Sequence, residues 1–200
     1  EFCLLRGNAG TGKTLAGITI SGYLPFFAAD WYLENDIFFS GNKLIQGNYT
    51  GDIGILFENP YQQVSGLKTD VFGELALPLE CNGTPEEKIR NKVHEFSDLF
   101  LLNKLLDRKI DTLSGGELQR VLIAATLINN PKLIFFDRFF SEIDTFFRKT
   151  VTSSIKNLIG KNDSAVIIAE EPWLVDNFEF NKIVDLGFNS CKDINHKPED

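Results

Sequence analysis

Two hydrophobic rhythms alternate along this chain. Short apolar runs at Phe2–Leu5, Ile53–Phe57, Leu133–Phe136 and Ala165–Ala169 read as buried strands, and Lys182–Leu186 reads as the last strand. Helical spacing instead marks Asp70–Leu79, Pro85–Leu106, Leu113 to about Ile128, and Thr145–Ile159. In the second of these, Ile89, Val93, Phe96, Leu99 and Phe100 fall on one face. Asn82-Gly83-Thr84-Pro85 breaks the helical stretch and starts the next helix, Asn129-Asn130-Pro131 stops one, and Gly160–Asp163 reads as a turn. Strands and helices alternate, which predicts an α/β fold with a parallel-rich core sheet. Residues 64–130 are expected to form a helical subdomain inserted between core segments 1–63 and 131–190, with a polar tail over 189–200. Residues 15–50 are the least readable. Leu15–Ile20 extends as a helix ending at Ser21-Gly22, Asp36–Phe39 reads as a strand, and Ser40–Asn42 and Gly47-Asn48 read as turns. Phe26, Phe27, Trp31 and Tyr32 are expected packing aromatics.

Composition narrows this little. Two hundred residues suit one domain. There are 18 Phe and no Met, so the chain is expected to be a piece of a longer protein. The longest apolar run, Val121–Ile128, is too short to span a bilayer, and no signal peptide is evident. A net charge of −8 with scattered basic residues argues against a nucleic-acid surface. Cys3, Cys81 and Cys191, expected in a strand, a loop and the tail, stand alone, which fits a reducing compartment.

The chemistry starts just after the first strand. Gly7-Asn8-Ala9-Gly10-Thr11-Gly12-Lys13-Thr14 fits the phosphate-loop pattern G-x-x-x-x-G-K-[ST]. Its glycines let the backbone approach a pyrophosphate, successive N–H groups point inward, and the following helix adds its positive dipole end. Lys13 is expected on the β- and γ-phosphates of a bound nucleotide and Thr14 on Mg²⁺. Asp137, ending an apolar strand downstream of such a loop, is the expected carboxylate partner of the metal.

Leu113-Ser114-Gly115-Gly116-Glu117-Leu118-Gln119-Arg120 makes the assignment specific. The string resembles the LSGGQ signature of ABC-type ATPases, with Glu117 for the usual Gln. Asn59-Pro60-x-x-Gln63, followed by Val71-Phe72-Gly73-Glu74, resembles the energy-coupling-factor and cobalt-type importers most, and Ser141-Glu142-Ile143-Asp144 matches the family's D-loop. The resemblance implies an ABC-type nucleotide-binding domain with a P-loop NTPase core. It implies that Ser114, Gly115, Gly116 and Glu117 act in trans on nucleotide held by a second nucleotide-binding domain, in a heterodimer or fused tandem. It further implies membrane-embedded transport subunits, contacted between Gln63 and about Leu79, and a peripheral position on the cytoplasmic face of the membrane. The residue that stacks on adenine is expected upstream of Glu1. A non-transport ABC-type ATPase or a regulatory ATP-binding module is the alternative.

Three departures qualify the resemblance. Glu58 stands at the Q-loop glutamine position, where it could still offer Mg²⁺ an oxygen. Arg138 replaces the catalytic glutamate, and an arginine stays protonated and cannot act as a general base. Glu170 replaces the switch histidine. The site's own hydrolysis is therefore expected to be weak. A salt bridge between Arg138 and Glu170, reversing the usual acid–imidazole pair, is expected beside the γ-phosphate.

Overall fold

The computed structural model describes residues 1–23, 36–45, 47, 51–140, 145–162, 164–170, 178–187 and 190–193. The aromatics at 26, 27, 31 and 32, the turn residue Asn48 and the stretch 141–144 lie outside them. Strands are β1 (Phe2–Arg6), β2 (Phe38–Phe39), β3 (Asn42–Lys43), β4 (Ile53–Leu56), β5 (Leu133–Asp137), β6 (Ala165–Ala169), β7 (Lys182–Asp185) and β8 (Ser190–Asp193). Helices are α1 (Lys13–Ile20), α2 (Val71–Cys81), α3 (Glu86–Leu99), α4 (Gly115–Leu127) and α5 (Thr145–Asn162).

The main sheet runs β4-β5-β6-β1-β7-β8. Its first five strands are parallel and β8 closes the edge antiparallel to β7. β5 is buried along its whole length, as a central parallel strand covered on both faces must be. β2 and β3 form a separate hairpin whose turn residues Ser40 and Gly41 both have positive φ, 49° and 78°, the backbone a type I′ turn requires.

One apolar cluster joins the sheet to the helical region, running from Leu4, Ile134 and Val166 to Leu75, Val93, Phe96, Leu118 and Ile123. Phenylalanine does much of the filling. Phe136 lies 5.1 Å from Phe140, Phe140 lies 5.6 Å from Phe178, and Phe178 lies 5.3 Å from Phe2, each pair inclined rather than stacked.

Four expectations need correction. The helix starting near Pro85 ends at Leu99 instead of reaching Leu106. Leu101 adopts φ 56°, its N–H donates to Asp98 O (3.4 Å), and the Leu102 N–H donates to Ser97 O (2.7 Å). That double bond is a Schellman stop, built here on a leucine, and a 3₁₀ turn at Asn103–Leu105 follows. The expected polar tail contains β8, which pairs Cys191 opposite Val184. Cys81 ends a helix instead of lying in a loop. The expected turn at 160–163 is taken up through Asn162 by α5.

Gly17 binds the first helix to this sheet. A Cβ there would sit 2.6 Å from the Phe135 ring, so α1 approaches β5 more closely than any side chain permits. Gly17→Ala is expected to destabilise the fold by about 1–3 kcal/mol through overpacking. Chemical denaturation checks this, and the lost stability should come with an unchanged denaturant slope.

Candidate functional site

Parallel register brings the candidate residues to one end of the sheet. Leu56 pairs with Phe136, Asp137 with Ala169, and Arg6 with Asp185. The segments that leave the carboxyl ends of β1, β4, β5 and β6 carry Gly7–Thr14, Glu58, Arg138 and Glu170, respectively. Ligands of open parallel sheets bind at such strand ends.

The loop after β1 has the shape an anion nest needs. Gly12, the N-cap of α1, has φ 92° and ψ 17°, a left-handed conformation that costs glycine little. At Gly7 a Cβ would collide with the Thr11 hydroxyl at 2.5 Å. Thr11 Oγ1 donates to Asn8 O at 2.8 Å. Lys13 Nζ folds back to donate to the carbonyls of Gly7 and Asn8, the second at 3.1 Å. α1 has no side-chain N-cap bond, so its first N–H groups point into the loop without a capping oxygen.

Asp137 sits beneath this loop and is 3% exposed. Its Oδ1 is buried without a hydrogen-bond partner. Burial raises the carboxyl above the ordinary aspartate value, and the nearby Glu58 charge pushes the same way. A hydrogen bond from Thr14 and the charges of Arg138 and Lys13 oppose it. A buried, unpartnered carboxylate oxygen with a hydroxyl at its side suits a hard cation that ligates oxygen. Among the described residues no group of three or more His, Cys, Asp or Glu could hold a metal alone.

Arg138 pairs differently from the expectation. Its guanidinium lies 3.6 Å from Glu58 Oε2, with both side chains about half exposed. Glu170, only 4% exposed, accepts instead from the Phe140 N–H at 3.1 Å. The reason is local geometry. Arg138 has φ 50° and its N–H donates to Ala169 O at 2.9 Å, which fixes the turn leaving β5. Glu170 then accepts from the buried Phe140 amide two residues on, and the arginine meets the segment after β4.

Two motif residues near Glu58 hold the local backbone. Gln63 accepts from the Phe57 N–H at 2.8 Å and donates to Ile55 O at 3.0 Å, and Asn59 caps the following 3₁₀ turn. Glu74, buried within α2, accepts from both the N–H and the hydroxyl of Ser65 at 2.8 and 2.6 Å.

The signature segment begins α4 with a complete capping box. Ser114 Oγ accepts from the Glu117 N–H at 3.3 Å, and Glu117 Oε2 accepts from the Ser114 N–H at 2.8 Å. Arg108, which the sequence reading missed, lies 3.1 Å from Glu117 Oε1 and also donates to Thr112 O. The Ser114 N–H bond holds the Glu117 carboxyl below its ordinary value. Burial opposes this, while the Ser114 hydroxyl and the Arg108 and Arg120 charges reinforce it. Gln119 was not singled out from sequence either. It is 1% exposed, with neither amide atom hydrogen-bonded. It lines a cavity of about 500 Å³ shared by Glu58, Asn59, Pro60, Tyr61, Gly115 and Gly116. The 58–61 segment and the signature therefore face a common space.

Comparison with known proteins agrees with this geometry. Residues 1–141 match the family model described as ABC transporter. A spermidine/putrescine import ATP-binding protein of Legionella pneumophila is 33% identical over 159 residues, covering 79% of this chain and 41% of the relative. An energy-coupling factor transporter ATP-binding protein of Mycoplasmopsis synoviae is 30% identical over 205 residues, covering 97% of this chain and 73% of the relative. The solved structure of cbiO1 from Clostridium perfringens, titled as part of an ABC transporter complex, superposes with TM-score 0.75 at 19% identity. It covers 94% of this chain and 74% of that one. The chain spans about two fifths of the length of the polyamine-import relative. The chain belongs to the ABC transporter family, with the α/β P-loop NTPase fold expected from sequence.

Two expectations follow from the charges. Asp137 has a raised folded-state value, so its neutral form favours folding, and that contribution is lost as pH rises through the folded value. Asp137→Asn should therefore raise the thermal midpoint of the nucleotide-free chain at neutral pH while abolishing magnesium-dependent nucleotide affinity. Calorimetry with and without Mg-ATP measures both. Glu117 has the opposite sign. Its lowered value adds stability above the ordinary glutamate range, and this is lost as pH falls through the folded value. The stability difference between the unmodified chain and Glu117→Gln should shrink in melts taken stepwise from pH 6 into that acid range.

Proposed function

We propose that this chain is the ATP-binding domain of an ABC-type importer whose own hydrolytic site is degenerate. It comprises a core of about 1–63 and 131–190 with a helical subdomain of about 64–130. The observation that carries the reading is the meeting of the Lys13–Thr14 loop, buried Asp137 and the Arg138–Glu58 pair at one sheet end. Residues 7–14 cradle the triphosphate, Thr14 and Asp137 hold Mg²⁺, and Glu58 is the remaining candidate ligand. When bound, the metal neutralises phosphate charge. Among the described residues, neither Arg138 nor Glu170 supplies the missing general base. Arg138 stays protonated, and Glu170 is buried and committed to the Phe140 amide.

ATP drives closure against a second nucleotide-binding domain, and Ser114, Gly115, Gly116 and Glu117 complete that partner's site. Membrane-embedded subunits carry the small solute, and this domain sits peripherally on their cytoplasmic face. Among the described residues no helix is long and apolar enough to cross a membrane. A cleft of about 370 Å³ between β4 and the helical region, lined in part by Gln63, Ser65, Glu74, Leu77 and Pro78, supports docking of the membrane partner there. The names of the relatives favour import, including energy-coupling-factor transport.

The test is ATP affinity and turnover. The chain is expected to bind Mg-ATP with turnover near background, and Arg138→Glu to raise turnover within the roughly 10²–10⁴-fold range a general base supplies. Ordinary turnover in the unmodified chain would show that another group serves as base.

A further inference from the structure

The Arg138–Glu58 pair suggests a role beyond loss of a base, one that rests on the nucleotide-site reading above. We infer that Arg138 is a γ-phosphate ligand that makes this site discriminate nucleoside triphosphate from diphosphate, with Glu58 as its resting counter-ion.

Backbone geometry first limits what can move. The Arg138 N–H is bonded to Ala169 O, the Phe140 N–H is bonded to Glu170, and Phe139 and Phe140 are fully buried. The backbone of the turn is therefore fixed, and φ 50° at Arg138 is a strained conformation held by those bonds. The guanidinium, by contrast, is half exposed at the end of a long side chain. Only the side chain is left to change partner.

The energies favour a change. A half-exposed ion pair at 3.6 Å is weak, and breaking it reduces affinity by a few-fold at most. Arginine binds phosphate oxygens with two parallel N–H donors, a stronger and more directional contact than the one it leaves. Position supplies the selectivity. Arg138 follows Asp137, and its charge acts on that carboxylate together with those of Lys13 and Glu58. It therefore stands at the metal side of the loop, where the terminal phosphate of a triphosphate adds charge that a diphosphate lacks. Glu58 sets the threshold. Its carboxylate holds the arginine when the terminal phosphate is absent and repels phosphate oxygens until the arginine leaves it.

Equilibrium binding of Mg-ATP and Mg-ADP to the intact chain tests this. Arg138→Ala should weaken ATP by roughly ten- to a hundredfold and ADP by less than about threefold. Arg138→Lys should recover only part of the loss. Glu58→Gln should raise the ratio of ATP to ADP affinity by a few-fold, since loss of a metal ligand acts on both nucleotides alike, and that gain should vanish when combined with Arg138→Ala. Equal losses for both nucleotides, or a Glu58→Gln gain that persists without Arg138, would overturn the inference. Should Arg138→Ala not fold, Glu58→Gln decides alone. If the unmodified chain bound neither nucleotide, or bound them no better than Lys13→Ala does, the nucleotide-site reading itself would fall. That outcome is distinct from tight but unselective binding.

Discussion

Everything at the candidate site depends on β5 staying buried and in parallel register between β4 and β6. A strand covered on both faces must be apolar almost to its end, and Leu133–Phe136 satisfies that before Asp137 interrupts it. Register then aligns Leu56, Asp137 and Ala169 near one end of the sheet. Three segments distant in sequence thus deliver Glu58, Arg138 and Glu170 to the neighbourhood of the loop after β1. The close approach of Gly17 to Phe135 ties that loop's helix to the same strand. A slip of one residue in β5 would move every side chain of the strand, Phe136 and Asp137 included, to the other face and dismantle both core and site.

The site carries costs that the surrounding core offsets. Asp137 is desolvated with one oxygen unpartnered, and a buried polar atom left so costs roughly 1–3 kcal/mol. Arg138 adds a left-handed backbone. The aromatic group of Phe136, Phe139, Phe140 and Phe178 lies directly behind them. Its area removed from water is what keeps the strained turn in place. Such strain is tolerated where surrounding packing over-determines it, and it accumulates at sites that bind ligands.

Much of this was legible in the sequence because each signal had a local cause. Glycine and lysine at set spacing fixed the loop, and unbroken apolar runs fixed the parallel strands. Elsewhere the signals were non-local or absent. Leu101 ends α3 in a conformation usually marked by glycine, so nothing in the periodicity announced the stop. β8 is polar because it lies at an edge, where pairing with β7 rather than burial defines the strand. Arg108 and the Glu58 partner of Arg138 are choices of tertiary geometry, made across 9 and 80 residues of chain, respectively.

The proposed division of labour between the signature and the loop after β1 rests on electrostatics at both places. At the signature, a carboxylate stands in place of the family's amide, at a helix start proposed to meet phosphate. Glu117 is nevertheless committed internally. It caps Ser114, and Arg108 offsets its charge, so the start of α4 is pre-formed with its negative group balanced. At the loop after β1 the charges of Lys13 and Arg138 oppose those of Asp137 and Glu58. On the proposed reading, a domain built this way would complete another domain's site while its own holds nucleotide, an asymmetry that three side chains at strand ends suffice to produce on an unchanged fold.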